Sequence, residues 1–494
     1  MLFNSFSFVV FLPIVVALYY TFPHKLRWLL LLLASCYFYM AFVPKYILIL
    51  FALIVVDYYL AIFIEKETDP KKKKLALVFG IVSNVSLLFV FKYFNFFNEN
   101  IASLAHLLGW NYSVGFLRLA LPLGLSFHTF QSLSYLIEVY RGTERAERHI
   151  GIYALFVLFF PQLVAGPIER ASHMMQQFHD EHPFVLKNII HGLKLIVWGF
   201  FLKIVVADRA SLLVDAFYAH PDKFVGPAGA LALVLFAFQL YGDFAGYTFI
   251  ALGSAQMLGF KLSENFRRPY LAKSISEFWQ RWHISLSSWL RDYVYQEILT
   301  AHKRVSMRAL YTAIIITFLL SGVWHGAGWT FVFMGLFYGI LIVLGIVTKK
   351  WRDKFMSATG IGSKSKLRLL IQTLTTFGLV CIGWLFFRSP NMATVIEIIE
   401  KISTGWKEFI THFYNTTYLK QHFRFGYEGL EVIETLIFSA LLIHIEYIQE
   451  KDLKFVKEKI VSNLYAQTFI YTVLILSIIV FGQFHQKVFI YFQF

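Results

Sequence analysis

The sequence predicts an all-α, polytopic integral membrane protein, and three observations carry that prediction. Of 494 residues, 58% are hydrophobic and 15% charged, whereas soluble proteins carry roughly 25% charged residues. Apolar runs recur from Phe8 to Phe494 with no polar block long enough to fold alone, so a single membrane-embedded unit is expected over 1–494. The basic residues, 45 against 30 acidic, lie in short clusters between those runs. There they orient spans in the bilayer, and they form no stripe for nucleic acid. Cys36 and Cys381 both fall inside apolar stretches, which excludes a disulfide framework and a thiolate metal cluster.

A hydrocarbon core of about 30 Å needs about 20 apolar residues as a helix. In chain order, spans are expected near 5–22, 27–42, 45–64, 75–97, 121–140, 187–206, 225–260, 309–326, 328–347, 367–387, 432–448 and 468–484. That gives about 11–12 transmembrane helices. The first basic residue is Lys25, so the stretch 8–22 lacks the charged start of a signal peptide and reads as a retained first span. The apolar stretch 150–166 ends in Phe160-Pro161 and Gly166-Pro167, which predicts a re-entrant piece that turns back.

With that piece re-entrant, four basic clusters fall on one side: Lys71 to Lys74; Arg141, Arg145 and Arg148; Arg267, Arg268, Lys273, Arg281 and Arg291; and Lys349, Lys350, Arg352 and Lys354. Lysine and arginine near span ends favour the cytoplasm. The opposite loop, 98–120, holds Arg118 as its one Lys or Arg and carries the sequon Asn111-Tyr112-Ser113. Met1 is therefore expected outside.

Polar groups are costly in lipid, so those within spans are candidate functional sites. In the segment 121–132, Pro122 and Gly124 break a helix, and Ser126, His128, Thr129, Gln131 and Ser132 follow. It reads either as a kinked packing helix whose hydroxyls bond its own backbone or as a cavity wall. Asp243 sits between Gly242 and Gly246 in a long apolar stretch. Those glycines predict a helix break whose freed amides hold the carboxylate, with Tyr241 and Tyr247 as further donors. A structural knot and a proton or ion site both fit.

Residues 275–295 read as one interfacial amphipathic helix. Phe278, Trp279, Trp282, Leu286, Trp289, Leu290 and Tyr293 share one face, and Gln280, Arg281, Ser285, Ser288, Arg291 and Asp292 share the other. His283 falls at the edge of the apolar arc, where the pattern alone favours a hydrogen-bonded structural histidine over a catalyst. Ser321-Gly322-Val323-Trp324-His325-Gly326-Ala327-Gly328-Trp329 closes one apolar run and opens the next. His325 follows Arg308 by 17 residues, which places it roughly 25 Å up, in the outer half of the membrane. Gly326 and Gly328 would let another molecule come close, so His325 is a candidate general base.

His173, His179 and His182, with Asp180 and Glu181, are an alternative zinc set, although their spacing follows no ligand pattern and the segment reads as a surface loop. Glycine loops for phosphate or dinucleotide, Gly-x-Ser-x-Gly and His-Glu-x-x-His are all absent. Soluble-type kinase, dehydrogenase and hydrolase chemistry is set aside.

Arg281-Trp282-His283 with Ser285, Ser287, Trp289, Arg291 and Asp292, followed some forty residues on by Trp324-His325-Gly326, resembles the membrane-bound O-acyltransferase (MBOAT) family. The segments 121–141, 161–170 and 241–247, Glu264-Asn265-Phe266 and the first twenty residues are similar to the bacterial branch that acetylates alginate and other exported polysaccharides. His128 and Gly242 stand where that branch has aromatic residues. The likeness covers roughly residues 1–390.

The resemblance implies a bundle around a central funnel in a bacterial inner membrane. In that funnel an acyl group, expected to be acetyl, passes from a cytoplasmic thioester such as acetyl-CoA to an acceptor outside. No permanently bound cofactor or metal is implied. The expected partners are the lipid bilayer, the thioester donor, an extracytoplasmic protein with a nucleophilic serine and a polysaccharide acceptor. His325 matches the family's catalytic histidine, as base or acyl carrier, and His283 its second histidine. Trp282, Arg281, Ser285, Ser287, Trp324, Asp243, Tyr247, Gln131 and Asn265 are the expected supporting or substrate-binding residues. D-alanyl transfer to teichoic acid from a carrier protein is the sister reading. A secondary transporter or flippase using Asp243 is the reading from another class.

Overall fold

A computed structural model describes residues 1–42, 44–119, 122, 124–164, 166–301, 306–360, 362, 365–451, 463–484 and 487–493. Leu121 and Leu123 of the proline- and glycine-broken segment, Ala165 of the re-entrant piece and Phe494 lie outside the described residues. Every regular element among the described residues is a helix, and the chain divides into two compact units, Met1–Ile196 with Ile250–Ser263, and Val197–Phe249 with Glu264–Phe494.

The first unit contains α1 (Phe6–Thr21), α2 (His24–Met40), α3 (Ile47–Lys66), α4 (Pro70–Leu88), α5 (Phe94–Leu107), α6 (Leu125–Arg141), α7 (Ile150–Leu158), α8 (Phe160–Leu163), α9 (Ala171–His179) and most of α10 (Leu186–Phe200). Local sequence sets the boundaries. Ser5 accepts from the Phe8 amide at 3.3 Å and starts α1; Asp69 accepts from the Lys71 amide at 2.9 Å, with Pro70 in the first turn, and starts α4. A π-helical turn at Phe89–Tyr93 joins α4 to α5, so the expected span 75–97 extends as helix to Leu107. α7 has nine residues, about 14 Å of helix, too short to cross a membrane as a single helix, and the four-residue α8 begins after one intervening residue. α6 begins after Gly124, whose φ of +72° is left-handed. Within α6, the Thr129 hydroxyl donates to the Leu125 carbonyl at 2.9 Å and Ser134 to the Gln131 carbonyl at 2.9 Å, as the packing-helix reading expects.

The second unit contains a π-helical turn at Phe201–Ala207, α11 (Asp208–Ala219), most of α12 (Pro227–Met257), α13 (Ile275–Arg281), α14 (Ile284–Leu290), α15 (Gln296–Thr300), α16 (Met307–His325), α17 (Trp329–Val347), α18 (Lys349–Ala358), α19 (Lys366–Arg388), α20 (Met392–Ser403), α21 (Trp406–His412), α22 (Thr416–Phe423), α23 (Gly429–Glu450) and α24 (Leu464–Phe481). Three expectations are corrected here. α12 runs without a break through Gly242 and Gly246. These glycines serve close approach: a Cβ at Gly242 would lie 2.8 Å from the Leu202 carbonyl oxygen, and one at Gly246 2.8 Å from that of Gly199. The expected single helix over 275–295 is interrupted at His283, which takes a left-handed conformation at φ +44°: α13 ends before it, and α14 runs on through a π-helical turn at Arg291–Tyr295 into α15. Gly326 does not open a path for another molecule, since a Cβ there would collide with the Phe331 ring.

α16 and α17 form a hairpin across Gly326-Ala327-Gly328. A Cβ on Gly322 would collide with the Phe331 carbonyl oxygen, and one on Gly335 with that of Phe318, so small residues let the two backbones touch. Among the described residues, eight helices are long and apolar enough to cross a membrane: Pro44–Lys66, Pro70–Leu107, Leu186–Ala219, Pro227–Met257, Met307–His325, Trp329–Val347, Lys366–Arg388 and Leu464–Phe481. The other four expected spans correspond to α1, α2 and α6, of 16, 17 and 17 residues, and to α23, which carries Glu431, Glu434 and Glu446. The chain is a multi-pass membrane protein.

Candidate active site

α16 ends on His325, which is buried, because the extended Gly326 that follows stops the helix. With 19 residues in α16, His325 stands about 27 Å from its start. Aromatic rings enclose it: Trp324 at 4.9 Å between centroids, Phe387 at 5.6 Å and Tyr491 at 5.7 Å. Trp324 also lies 5.8 Å from His283, so one indole touches both histidines.

His283 is wholly buried, which corrects its expected place at the rim of the apolar arc. A left-handed backbone costs a residue with a Cβ about 1–2 kcal/mol, and Asn265 supplies the compensating contacts. The Asn265 side-chain oxygen takes the His283 Nδ1 at 3.1 Å, the Ser285 amide at 3.2 Å and the Ser285 hydroxyl at 2.9 Å. The Ile284 amide donates to the Asn265 backbone carbonyl at 2.9 Å. A proton on Nδ1 pointing at the side-chain oxygen assigns Nε2 as the acceptor nitrogen of the neutral ring. Burial pushes the pKa of His283 well below 6.5, and a charge on His325 pushes it the same way, so the pair does not carry two protons.

The other expected residues divide by role. Trp282 is wholly buried, 5.0 Å from Phe266 and 4.9 Å from Trp384, an aromatic keystone beneath His283. Arg281 pairs with Glu277 at 2.7 Å and Glu450 at 2.9 Å. Ser287 lies in the first turn of α14, its amide bonding the His283 carbonyl at 3.0 Å and its hydroxyl donating to the Trp282 carbonyl at 3.3 Å. Asp243 is held by Lys203 at 2.6 Å and by the Ile490 amide at 2.7 Å, and not by amides freed from its own helix. Tyr241 instead donates to Glu446. Tyr247 is buried, with its ring 4.8 Å from that of Phe489. Gln131 is buried in α6 of the first unit.

Lys203, Phe244, Phe387 and Tyr491 are additions that sequence reasoning missed. Lys203 carried a usable signal, a single cation within the apolar run 195–207; the aromatic residues were three among many. The three histidines of the alternative zinc set go to separate partners. His173 bonds Glu169, His179 bonds Glu147 and His182 meets the Gln177 carbonyl, each at 2.8 Å. Among the described residues, no three His, Cys, Asp or Glu side chains gather as a metal site.

The family model for membrane-bound O-acyltransferases matches residues 149–384, a stretch that holds His283 and His325. Over 394 residues, 79% of this chain and 72% of the relative, the sequence is 36% identical to the "Probable alginate O-acetylase AlgI" of Pseudomonas syringae pv. tomato. The chain belongs to the membrane-bound O-acyltransferase family. It is 34% identical to the peptidoglycan O-acetyltransferase of Helicobacter pylori over 396 residues, 75% of this chain and 72% of that one. To the teichoic acid D-alanyltransferase of Bacillus subtilis it is 29% identical over 277 residues, 54% and 68% of the two chains. As a member of this family the chain is a membrane-bound O-acyltransferase, on the bacterial branch that includes the alginate O-acetylases.

Proposed function

We propose that this acyltransferase moves an acetyl group from a cytoplasmic thioester, such as acetyl-CoA, to a hydroxyl on the outer face of a bacterial inner membrane, for O-acetylation of an exported polysaccharide such as alginate. The observation that carries the reading is the pair of buried histidines joined by Trp324 at the deep end of α16. His325 takes the proton of the attacking hydroxyl as its oxygen bonds the acyl carbon. The carbon–sulfur bond breaks and the proton passes from the imidazolium to the departing thiolate. His283, its ring fixed by Asn265, supports the donor side. The first acceptor is the serine of an extracytoplasmic partner, which relays the acyl group to the polymer.

A cavity of about 470 Å³ supports the donor path. Its lining includes Gln280, Ser287 and Arg291 near the interfacial helices and Thr317 and Ser321 on α16. Ser321 lies one helical turn short of His325, so a slender thioester arm could reach the base without either substrate crossing the membrane. The positions of the basic clusters support a cytoplasmic donor and an outward Met1. Two relatives named for polymer acetylation match more of the chain, at higher identity, than the one named for D-alanylation, which favours acetyl over D-alanyl.

The test is His325→Gln in cells, at matched protein level, with acyl groups on the surface polymer measured by mass spectrometry. Losing a general base costs about 10²- to 10⁴-fold in rate. Acylation should fall below detection, because an amide can hydrogen-bond but cannot take a proton. Retention of most acylation would remove His325 from the chemistry.

A further inference from the structure

Asp243 has a demand on it that the acyl-transfer chemistry does not explain. It lies in the middle of α12, and its side chain, not the helix backbone, takes up the chain that crosses there. Residues 487–493 cross it. The Ile490 amide donates to one Asp243 carboxylate oxygen at 2.7 Å, and the other oxygen meets the Lys203 ammonium at 2.6 Å. Lys203 also pairs with Asp208 at 2.7 Å. At the near end of the segment, Lys487 reaches Asp215 at 2.8 Å and the Ser211 hydroxyl at 2.6 Å, and Arg388 meets Asp215 at 3.1 Å. Three cations thus face three carboxylates around a small polar cavity of about 120 Å³ that Val488 and Ile490 help to line.

The anchored segment leads to the histidine. Phe489 and Ile490 are buried, and Phe489 packs 5.5 Å from Phe244. Tyr491 then stands 4.7 Å from Phe244, 5.5 Å from Phe387 and 5.7 Å from His325.

We propose that Asp243 is a positioning residue: with Lys203 and Asp208 it anchors residues 487–493, so that this segment forms one wall of the chamber around His325. An acid is required because two acceptor oxygens are used at once, one by the crossing amide and one by the lysine. A neutral side chain at 243 would leave Lys203 buried with half its counter-charge. The effect on acyl transfer rests on the reading of His325 given above; the anchoring does not.

Hydrogen–deuterium exchange of the full chain in detergent tests the anchor directly. In the native protein the 487–493 peptide should exchange slowly. In Asp243→Leu combined with Lys203→Met, which removes both charges together, it should exchange at least tenfold faster while α16 and α17 stay protected. Lys487→Met cuts the outer tie at a half-exposed position, keeps the test open if the double variant does not fold, and should speed exchange of the same peptide. In both variants acyl transfer should fall along with protection. Unchanged protection of 487–493 in a folded variant overturns the anchor, whichever residue performs the chemistry. A chain shortened after residue 486 that folds and still acylates at the native rate overturns the wall.

Discussion

His283 concentrates the most physics of any single residue. It is buried, left-handed and held by an asparagine rather than a carboxylate. A carboxylate there would favour the imidazolium; the neutral amide oxygen leaves burial in control. The sign of the pH effect follows. His283 binds a proton in the unfolded chain below about pH 6.5, while in the folded protein its pKa lies well below that value. Stability should therefore decline as pH falls below about 6.5, until the folded-state pKa is passed. Thermal unfolding in detergent between pH 7 and pH 5 should show a shallower decline for His283→Gln than for the parent. Equal slopes would mean that His283 is not the neutral group described here. Asn265→Ala should also destabilise, by about 1–3 kcal/mol, since it strands three buried donors.

Among elements, the α16–α17 hairpin shows how much a missing side chain matters. Gly335 faces backbone, the Phe318 carbonyl, which cannot step aside as a flexible side chain can. Gly335→Ala should push the helices apart and cost about 1–3 kcal/mol. Gly345, later in the same helix, has nothing within 4 Å of its Cβ position, so Gly345→Ala should be neutral or slightly stabilising. Thermal melts of the two variants side by side check the contrast; similar losses would show that the seam is not the cause.

The helices of this seam were legible in the sequence, but the use of their glycines was not. A glycine in a long apolar run signals either a break or a close neighbour. Only the partner helix decides, and Gly242, Gly246 and Gly326 all proved to have neighbours. Asp243 was likewise legible as a buried acid needing partners, while Lys203 and Ile490 lie 40 and 247 positions away. The end of α16 before Gly326 and the apolar positions of 275–295, most of which the protein buries, needed only local pattern. The turn that buries His283 depends on Asn265, across a loop that periodicity does not see.

For the whole molecule, the charge clusters make the sharpest prediction. Single cysteines placed within 98–115 should react with an impermeant maleimide added outside intact cells, whereas cysteines at 71–74 or 349–354 should react only after the membrane is opened. The lysines at 71–74 head α4, and 349–354 lies in α18, a ten-residue helix with no buried residue, so access and not burial decides the outcome. Reversed labelling would place the donor on the wrong side and sink the proposed reaction, though not the family.

The backbone contact between α16 and α17 also bears on how the protein is made. Gly322 and Gly335 need no side chains ordered before the helices meet, and three residues separate one helix from the next. The pair can therefore close as soon as both have left the ribosome and entered the bilayer, while α19 to α24 are still being translated. His325 would then already hold its place at the hairpin tip, ready to receive Phe387 and Tyr491 as they arrive. Assembly of the chamber becomes a sequence of additions to a finished corner.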